Sequence, residues 1–344
     1  MVVAVIRSPE FVCAIAVCIL ALVAHARAGE FASDYFADHP SYGCEANPTG
    51  DPIGGGEGYS DILTTGDYVV RTDEELVAAL GKAKPGEVIF VPGDVVINIA
   101  EHGALTIPEG VTLAGDRGRD GSQGGLIKLG KRAGQMFATG GDNIRITGLR
   151  FEGGYAGRER IADNSYFIGV GYYNFEIDNC EIYNFNVQGV GVGSRAMNTR
   201  IHHNFIHHIQ RSGLGYGVSV SSSDCYIIAN RFDYCRHHLK SGGNPGSGYE
   251  AAWNHVGMNA NGHHFDIHGG RDRGDGTDIA GDWMHAHHNT FEGPQWHVRI
   301  RGVPSDGADI HHNWFSGPAD ERVASSGNTT VHDNVYGSEK ILEE

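Results

Sequence analysis

Leucine is scarce in this chain relative to valine and isoleucine, a balance that suits short strands joined by tight corners rather than long helices. Cations are also short. Twenty-six Lys and Arg face 42 Asp and Glu, giving a formal net charge of −16. That deficit argues against general binding to nucleic acid or to an anionic membrane. Any polyanionic substrate would have to be caught by a local basic patch. No apolar run after the N-terminal one is long enough to span a bilayer. Cysteine is limited to six residues, and Cys13 and Cys18 lie in the N-terminal apolar run. The remaining Cys44, Cys180, Cys225 and Cys235 are too few for a disulfide framework in a chain of this length. Cys225 and Cys235 are the nearest pair in sequence, and Cys180 is expected to be a buried free thiol.

What the chain has in quantity is glycine, 51 residues, and histidine, 20 residues clustered after position 201. Its start reads as a targeting signal. Arg7 precedes an apolar run over residues 11–24, and Ala26-Arg27-Ala28 offers a small-x-small cleavage site. Residues 1–28 are therefore expected to be a secretory signal peptide. The mature protein would be secreted, extracellular or periplasmic, with no membrane attachment after cleavage. Residues 29–67, rich in Gly, Pro, Ser and Asp, read as an irregular N-terminal arm. Thr72 and Glu75 form a capping box before the apolar residues 76–80, which predicts a short helix. Residues 88–93 and 110–115 read as first strands, and 338–344 as a polar tail. The main domain is placed at 68–337, and a monomer is expected.

One phrase recurs along that domain: a small apolar residue, two variable ones, Asn, one more, then a bulky apolar residue. It occurs at Ile201-Asn204-Ile206, Ile227-Asn230-Phe232, Ala251-Asn254-Val256, Ala286-Asn289-Phe291, Ile310-Asn313-Phe315 and Val331-Asn334-Tyr336. Weaker copies run Ile177-Cys180-Ile182 and Ile146-Leu149-Phe151. Self-similarity at this period indicates a solenoid, and period-2 alternation within each copy makes the repeating element a strand. Stacked copies would place each Asn about 4.8 Å above the last and let the amides form a ladder. Over roughly residues 66–336 the pattern resembles the pectate lyase-like superfamily. The resemblance implies an all-β fold: a right-handed single-stranded parallel β-helix, its N-terminal end covered by the short helix.

Aligning the second strand of each rung on its ladder Asn gives residues 217–221, 238–242, 264–268 and 297–301. Val218, Leu239, Phe265 and Val298 then fall in one apolar column, and Val220, Ser241, Ile267 and Ile300 in another. Both are expected to face the core, so the residues between them should face outward. Those are His238, His264 and His297 in one column, Lys240, Asp266 and Arg299 in the next, and His268 and Arg301 in a third. So many ionisable groups on a parallel sheet are costly, and such clusters mark active sites.

Pectate lyase-like enzymes mostly act on acidic polysaccharides, by β-elimination or by hydrolysis. Elimination needs a base for the proton α to a uronate carboxyl, a cation to neutralise that carboxylate, and an acid for the leaving oxygen. The expected reading is a lyase with Lys240, His238 or His264 as base and Arg299 as neutraliser. Asp266, His268, His297, Arg301, Tyr249 and Trp296 would bind the substrate, an acidic polysaccharide. Inverting hydrolysis needs two carboxylates, and Asp266 is the only one in the aligned columns. No cofactor is required by this scheme. The acidic loop 269–278 offers oxygen ligands for Ca²⁺. His264, Asp266 and His268 could instead form a transition-metal site. A uronate C5-epimerase, or a carbohydrate-binding β-helix without enzymatic activity, would also suit this face. The pairs His202-His203, His287-His288 and His311-His312 read as turn and surface residues, able at most to pick up adventitious metal.

Overall fold

The computed structural model describes residues 42–337 apart from 131, 132, 156, 222 and 319–321. The expected signal peptide, the first part of the arm (29–41) and the polar tail lie outside the described residues. The fold is built on one repeated corner. Asn179, His203, Ala229, Trp253, His288, His312 and Asp333 all hold φ between 46° and 54°, each directly before a ladder position. A left-handed residue other than Gly costs roughly 1–2 kcal/mol, and the amide that follows offsets the cost. In each ladder Asn the Nδ2 donates to the carbonyl of the strand residue one rung back, as from Asn254 to Ile227 at 2.8 Å. The same Nδ2 donates to Oδ1 of the next Asn, at 3.1 Å from Asn204, 3.0 Å from Asn230 and 2.9 Å from Asn254. Asn289 and Asn313 continue the chain of amides at 3.0 Å each, ending on Asn334. Each Oδ1 also accepts the backbone N–H one rung below, from Cys180 onward. The ladder therefore satisfies the polar groups that a tight corner would otherwise bury unpaired.

Between corners the strands stack into three parallel sheets, of 11, 10 and 9 strands among the described residues, and every coil adds one strand to each. This is a right-handed parallel β-helix, the hand that parallel crossovers favour. Its interior is a continuous apolar column in which Phe137, Phe151, Phe167, Phe232, Phe265, Phe291 and Phe315 are all fully buried. Helix α1 (Asp73–Leu80) begins as expected, with Thr72 accepting the N–H of Glu75 and Glu75 accepting that of Arg71. It buries Leu76, Ala79 and Leu80 against the first coil. The arm from residue 42 runs along the corner between the first and second sheets, donating from Gly43 to His312, from Gly54 to Ala229 and from Gly56 to Asn179. All four described cysteines are buried, and Cys180, Cys225 and Cys235 are free thiols, so Cys225 and Cys235 are not joined.

Candidate active site

The third sheet carries the charged face. Its strands His237–Ser241, Phe265–Ile267 and Val298–Ile300 lie side by side in register. Leu239, Phe265 and Val298 pair and face the core, as do Ser241, Ile267 and Ile300. Lys240, Asp266 and Arg299 pair between them and form the outer column, as the alternation predicts. Asp266 is fully buried despite its outward position, because Arg301, His268 and His237 close over it. Arg301 grips it twice, Nε to Oδ1 at 2.8 Å and Nη2 to Oδ2 at 2.6 Å. His268 Nε2 lies 3.2 Å from Oδ2, and His237 Nε2 lies 3.4 Å from it. Burial would raise the carboxyl, but the His268 hydrogen bond and the neighbouring His237 and Arg301 hold it well below the usual carboxylate range. Lys240 shifts the other way. Burial lowers its pKa, against a weaker upward pull from Asp266. Arg299 stands 5.8 Å over the ring of half-buried Trp296.

Beside that column runs a second one that the sequence alignment missed. Tyr216 pairs with His237 in the ladder, and their rings lie 5.9 Å apart and 6° from parallel. His263 continues the stack, 5.6 Å from His237. Two cations approach Tyr216: Arg236 Cζ at 5.9 Å and Lys240 Nζ at 5.7 Å from the ring centroid. Burial raises the pKa of the Tyr216 phenol and keeps it protonated. The available signal was the pair of doublets His237-His238 and His263-His264, whose members the structure sends to opposite sides of the sheet.

His238, His264 and His297 are a correction to the alternation. All three are fully buried and point inward. His238 packs 6.0 Å from Phe232 and 5.0 Å from His264. His264 lies 5.0 Å from His297, which in turn stacks on Phe291 and Phe315. The physical reason is the bend from the second sheet into the third. At a bend two successive side chains enter the interior, and strict period-2 alternation starts only after it. Desolvation lowers His238 and His297 to about 3 and His264 well below its ordinary value. Neither His238 nor His264 can reach a substrate on the outer face. Tyr249, expected to bind substrate, is a core residue of the first sheet with 1% exposure. His268 and Arg301 do face outward beside Asp266.

The transition-metal site loses its geometry for the same reason, since His264 lies inside while Asp266 and His268 lie outside. In the acidic loop, Asp275 accepts from Arg273 and Thr277, and Asp272 accepts from Gly269 and lies near Arg301, so loop partners already hold these carboxylates. Among the described residues one other group brings three ligand atoms together: Glu176, Asp178 and His202. Asp178 is bound there by Arg145, Thr147 and Tyr59, and Glu176 by His202, which reads as an ion-pair network. The His doublets at the first corner stack ring on ring, as His287 on His311 at 5.1 Å and 4°. Within each doublet the rings stand perpendicular and hydrogen-bond Nδ1 to Nδ1, as His202 to His203 at 2.9 Å.

A family model described as "Protein of unknown function (DUF1565)" matches residues 74–269, more than half of the chain, so the chain belongs to that family. No curated protein matches the sequence. Among solved structures the chain is similar to an alginate lyase from Paenibacillus sp. str. FPU-7, with a TM-score of 0.55 over 78% of this chain and 94% of that one. At 17% identity this is a likeness of fold. Of the expectation drawn from pectate lyase-like chains, this likeness supports the parallel β-helix fold.

Proposed function

We propose that this member of the DUF1565 family is a polysaccharide lyase that cleaves a uronic-acid-containing chain by β-elimination on the outer face of the third sheet. The observation that carries the reading is the outer column Lys240–Asp266–Arg299 with Tyr216 beside it. Lys240 is the base, because burial favours its neutral form. Arg299, two rungs away and so about 10 Å off at the backbone, neutralises the uronate carboxylate as the α-proton leaves. Tyr216, kept protonated, donates to the leaving oxygen. Arg301 and His268 serve mainly to fix Asp266, and Trp296 offers a ring edge for a sugar. Asp266 is the only carboxylate on this column and Arg301 grips it twice, so it is a poor general base for hydrolysis.

The structural likeness to an alginate lyase supports a polysaccharide substrate, and the Arg299 guanidinium on the outer column supports an acidic one. The test is a screen of purified protein against uronic-acid polysaccharides, following ultraviolet absorbance of the unsaturated product. Growth of that chromophore, abolished in Lys240→Ala, is the expected result. A uronate C5-epimerase would start from the same proton abstraction at Lys240. It would exchange the α-hydrogen with solvent and form no chromophore. Saturable glycan binding with neither signal would leave a carbohydrate-binding β-helix.

A further inference from the structure

Beside the reacting column stands a guanidinium that the proposed reaction leaves unused, and its role rests on the lyase reading of this face. Arg236 immediately precedes the strand His237–Ser241 and is half-buried. Its Cζ stands 5.9 Å from the centroid of the Tyr216 ring, which Lys240 Nζ approaches to 5.7 Å. Among the described residues no carboxylate pairs with Arg236, since Asp266, the one carboxylate of the column, is gripped by Arg301. Arg299 is likewise without one. Both act on His263, in the coil between theirs: burial lowers that ring, Asp266 pulls it up, and Arg299, Arg301 and Arg236 lower it further. Two guanidinium groups thus stand together without a carboxylate, on a chain whose net charge is −16. Partly desolvated cations are costly to leave unmatched, so the pair suits an anion that arrives with the substrate.

The surface beside them has room for it. From Lys240 towards the N-terminal coils, the outer column shrinks to Ser219, Gly191 and Gly169. The Gln188 amide lies across Gly191, so this floor is low, uncharged and able to hydrogen-bond hydroxyls. The rise of about 4.8 Å per coil is close to the length of one sugar unit. A glycan laid along the axis therefore meets one coil per sugar.

We infer that Arg236 binds the carboxylate of a second uronate, the sugar that departs with the leaving oxygen, so that the site cleaves between two consecutive uronic acids. In the elimination Lys240 takes the α-proton of the uronate held by Arg299. The bond from the β-carbon to the bridging oxygen breaks, a double bond forms between the α and β carbons, and Tyr216 gives its proton to that oxygen. The departing oxygen belongs to the neighbouring sugar, which must therefore lie at Tyr216, and the guanidinium at Tyr216 is Arg236. The same charge helps the acid. Burial raises the Tyr216 phenol, and Arg236 exerts the largest opposing pull, steadying the phenolate that proton donation leaves behind.

Two measurements on the full chain test this. A mixed polysaccharide with both uronate–uronate and uronate–neutral linkages is digested, and the product ends are read by mass spectrometry. Every new reducing end should be a uronic acid. Neutral sugars there, in proportion to their share of the polymer, overturn the inference and leave the lyase reading standing. The second measurement is calorimetric binding of a polyuronate oligomer and of an alternating oligomer of uronate and neutral sugar. The wild type should prefer the polyuronate by about tenfold, the scale of one hydrogen bond to a charged group. Arg236→Gln should lose that preference and Arg236→Lys should keep part of it. A wild type without preference overturns the inference with no variant needed, and so does an equal loss on both oligomers in Arg236→Gln. Preference without cleavage overturns the lyase reading alone and supports the second carboxylate site.

Discussion

At the residue scale, the outer column separates side chains that act from side chains that hold. Lys240→Ala and Arg299→Ala should each reduce turnover by about 10²–10⁴-fold, the range for a lost general base or a lost charge stabiliser. Their folding should be nearly unchanged, because neither is buried in the core. Arg301→Met tests the other class. It removes the twofold grip on fully buried Asp266 and leaves that charge with imidazoles alone. Stability should fall by about 3 kcal/mol, as when one partner of a buried pair is deleted, measured by urea unfolding. A variant as stable as the wild type would mean that Asp266 is solvated rather than enclosed. His238 and His264 give the contrast. Replacement by Leu removes buried imidazole without touching the outer face, so activity should survive wherever the fold does.

The element scale is governed by the ladder. Asn254 accepts the N–H and one amide hydrogen of Asn230, and donates to Ile227 and Asn289. Asn254→Leu strands several of these groups inside the corner, and a loss on the order of 3–5 kcal/mol is expected from buried unsatisfied donors and acceptors. Asn334, at the end of the ladder and part-exposed, should cost well under half as much when changed to Ala, because water can replace its partners. Equal losses at the two positions in thermal unfolding would show that the ladder is not what holds the corners. Helix α1 adds a smaller, local contribution. Thr72→Ala should cost about 1 kcal/mol through its lost N-cap, and exchange of backbone amides should quicken at this end of the solenoid first.

At the scale of the whole molecule the buried imidazoles set the response to acid. His203, His238, His288 and His297 are each lowered to about 3, chiefly by burial, from an ordinary value of 6.5. The unfolded chain therefore binds protons that the folded chain refuses, and stability rises with pH across this window. The contribution is fully present above about pH 6.5 and is lost as pH falls towards 3. Glu176 is lowered to about 2, where burial is outweighed by its hydrogen bond to His202, and it acts in the same direction below the ordinary carboxylate range. His332 is raised by Asp333 and works weakly the other way near neutrality. The melting temperature should accordingly fall steadily from neutral pH to pH 4. A flat profile over that range would require the imidazoles to be hydrated. Substrate capture is the second whole-molecule property. The net charge of −16 repels a polyanion, so binding depends on the local cations and should weaken as salt is added. A neutral glycan bound as tightly, with no dependence on salt, would count against a uronate substrate.

The coil, its corners and its register were legible in the sequence because they repeat. Six Asn residues at matching offsets from alternating apolar ones are a local signal, and stacking needs only that each copy meet the next. The outer position of Lys240, Asp266, Arg299, His268 and Arg301 followed from the same alternation. The inward turn of His238, His264 and His297 did not, because a bend between sheets sends two adjacent side chains to the interior and period-2 reasoning has no term for it. Tyr249 was misplaced for a related reason, since a Tyr beside a Gly-rich loop reads as polar surface until the neighbouring coil closes over it. The stack of Tyr216, His237 and His263, and the grip of Arg301 on Asp266, belong to the tertiary structure alone. They join residues 20 to 50 positions apart, and only the pitch of the coil decides which of them come within reach of one another.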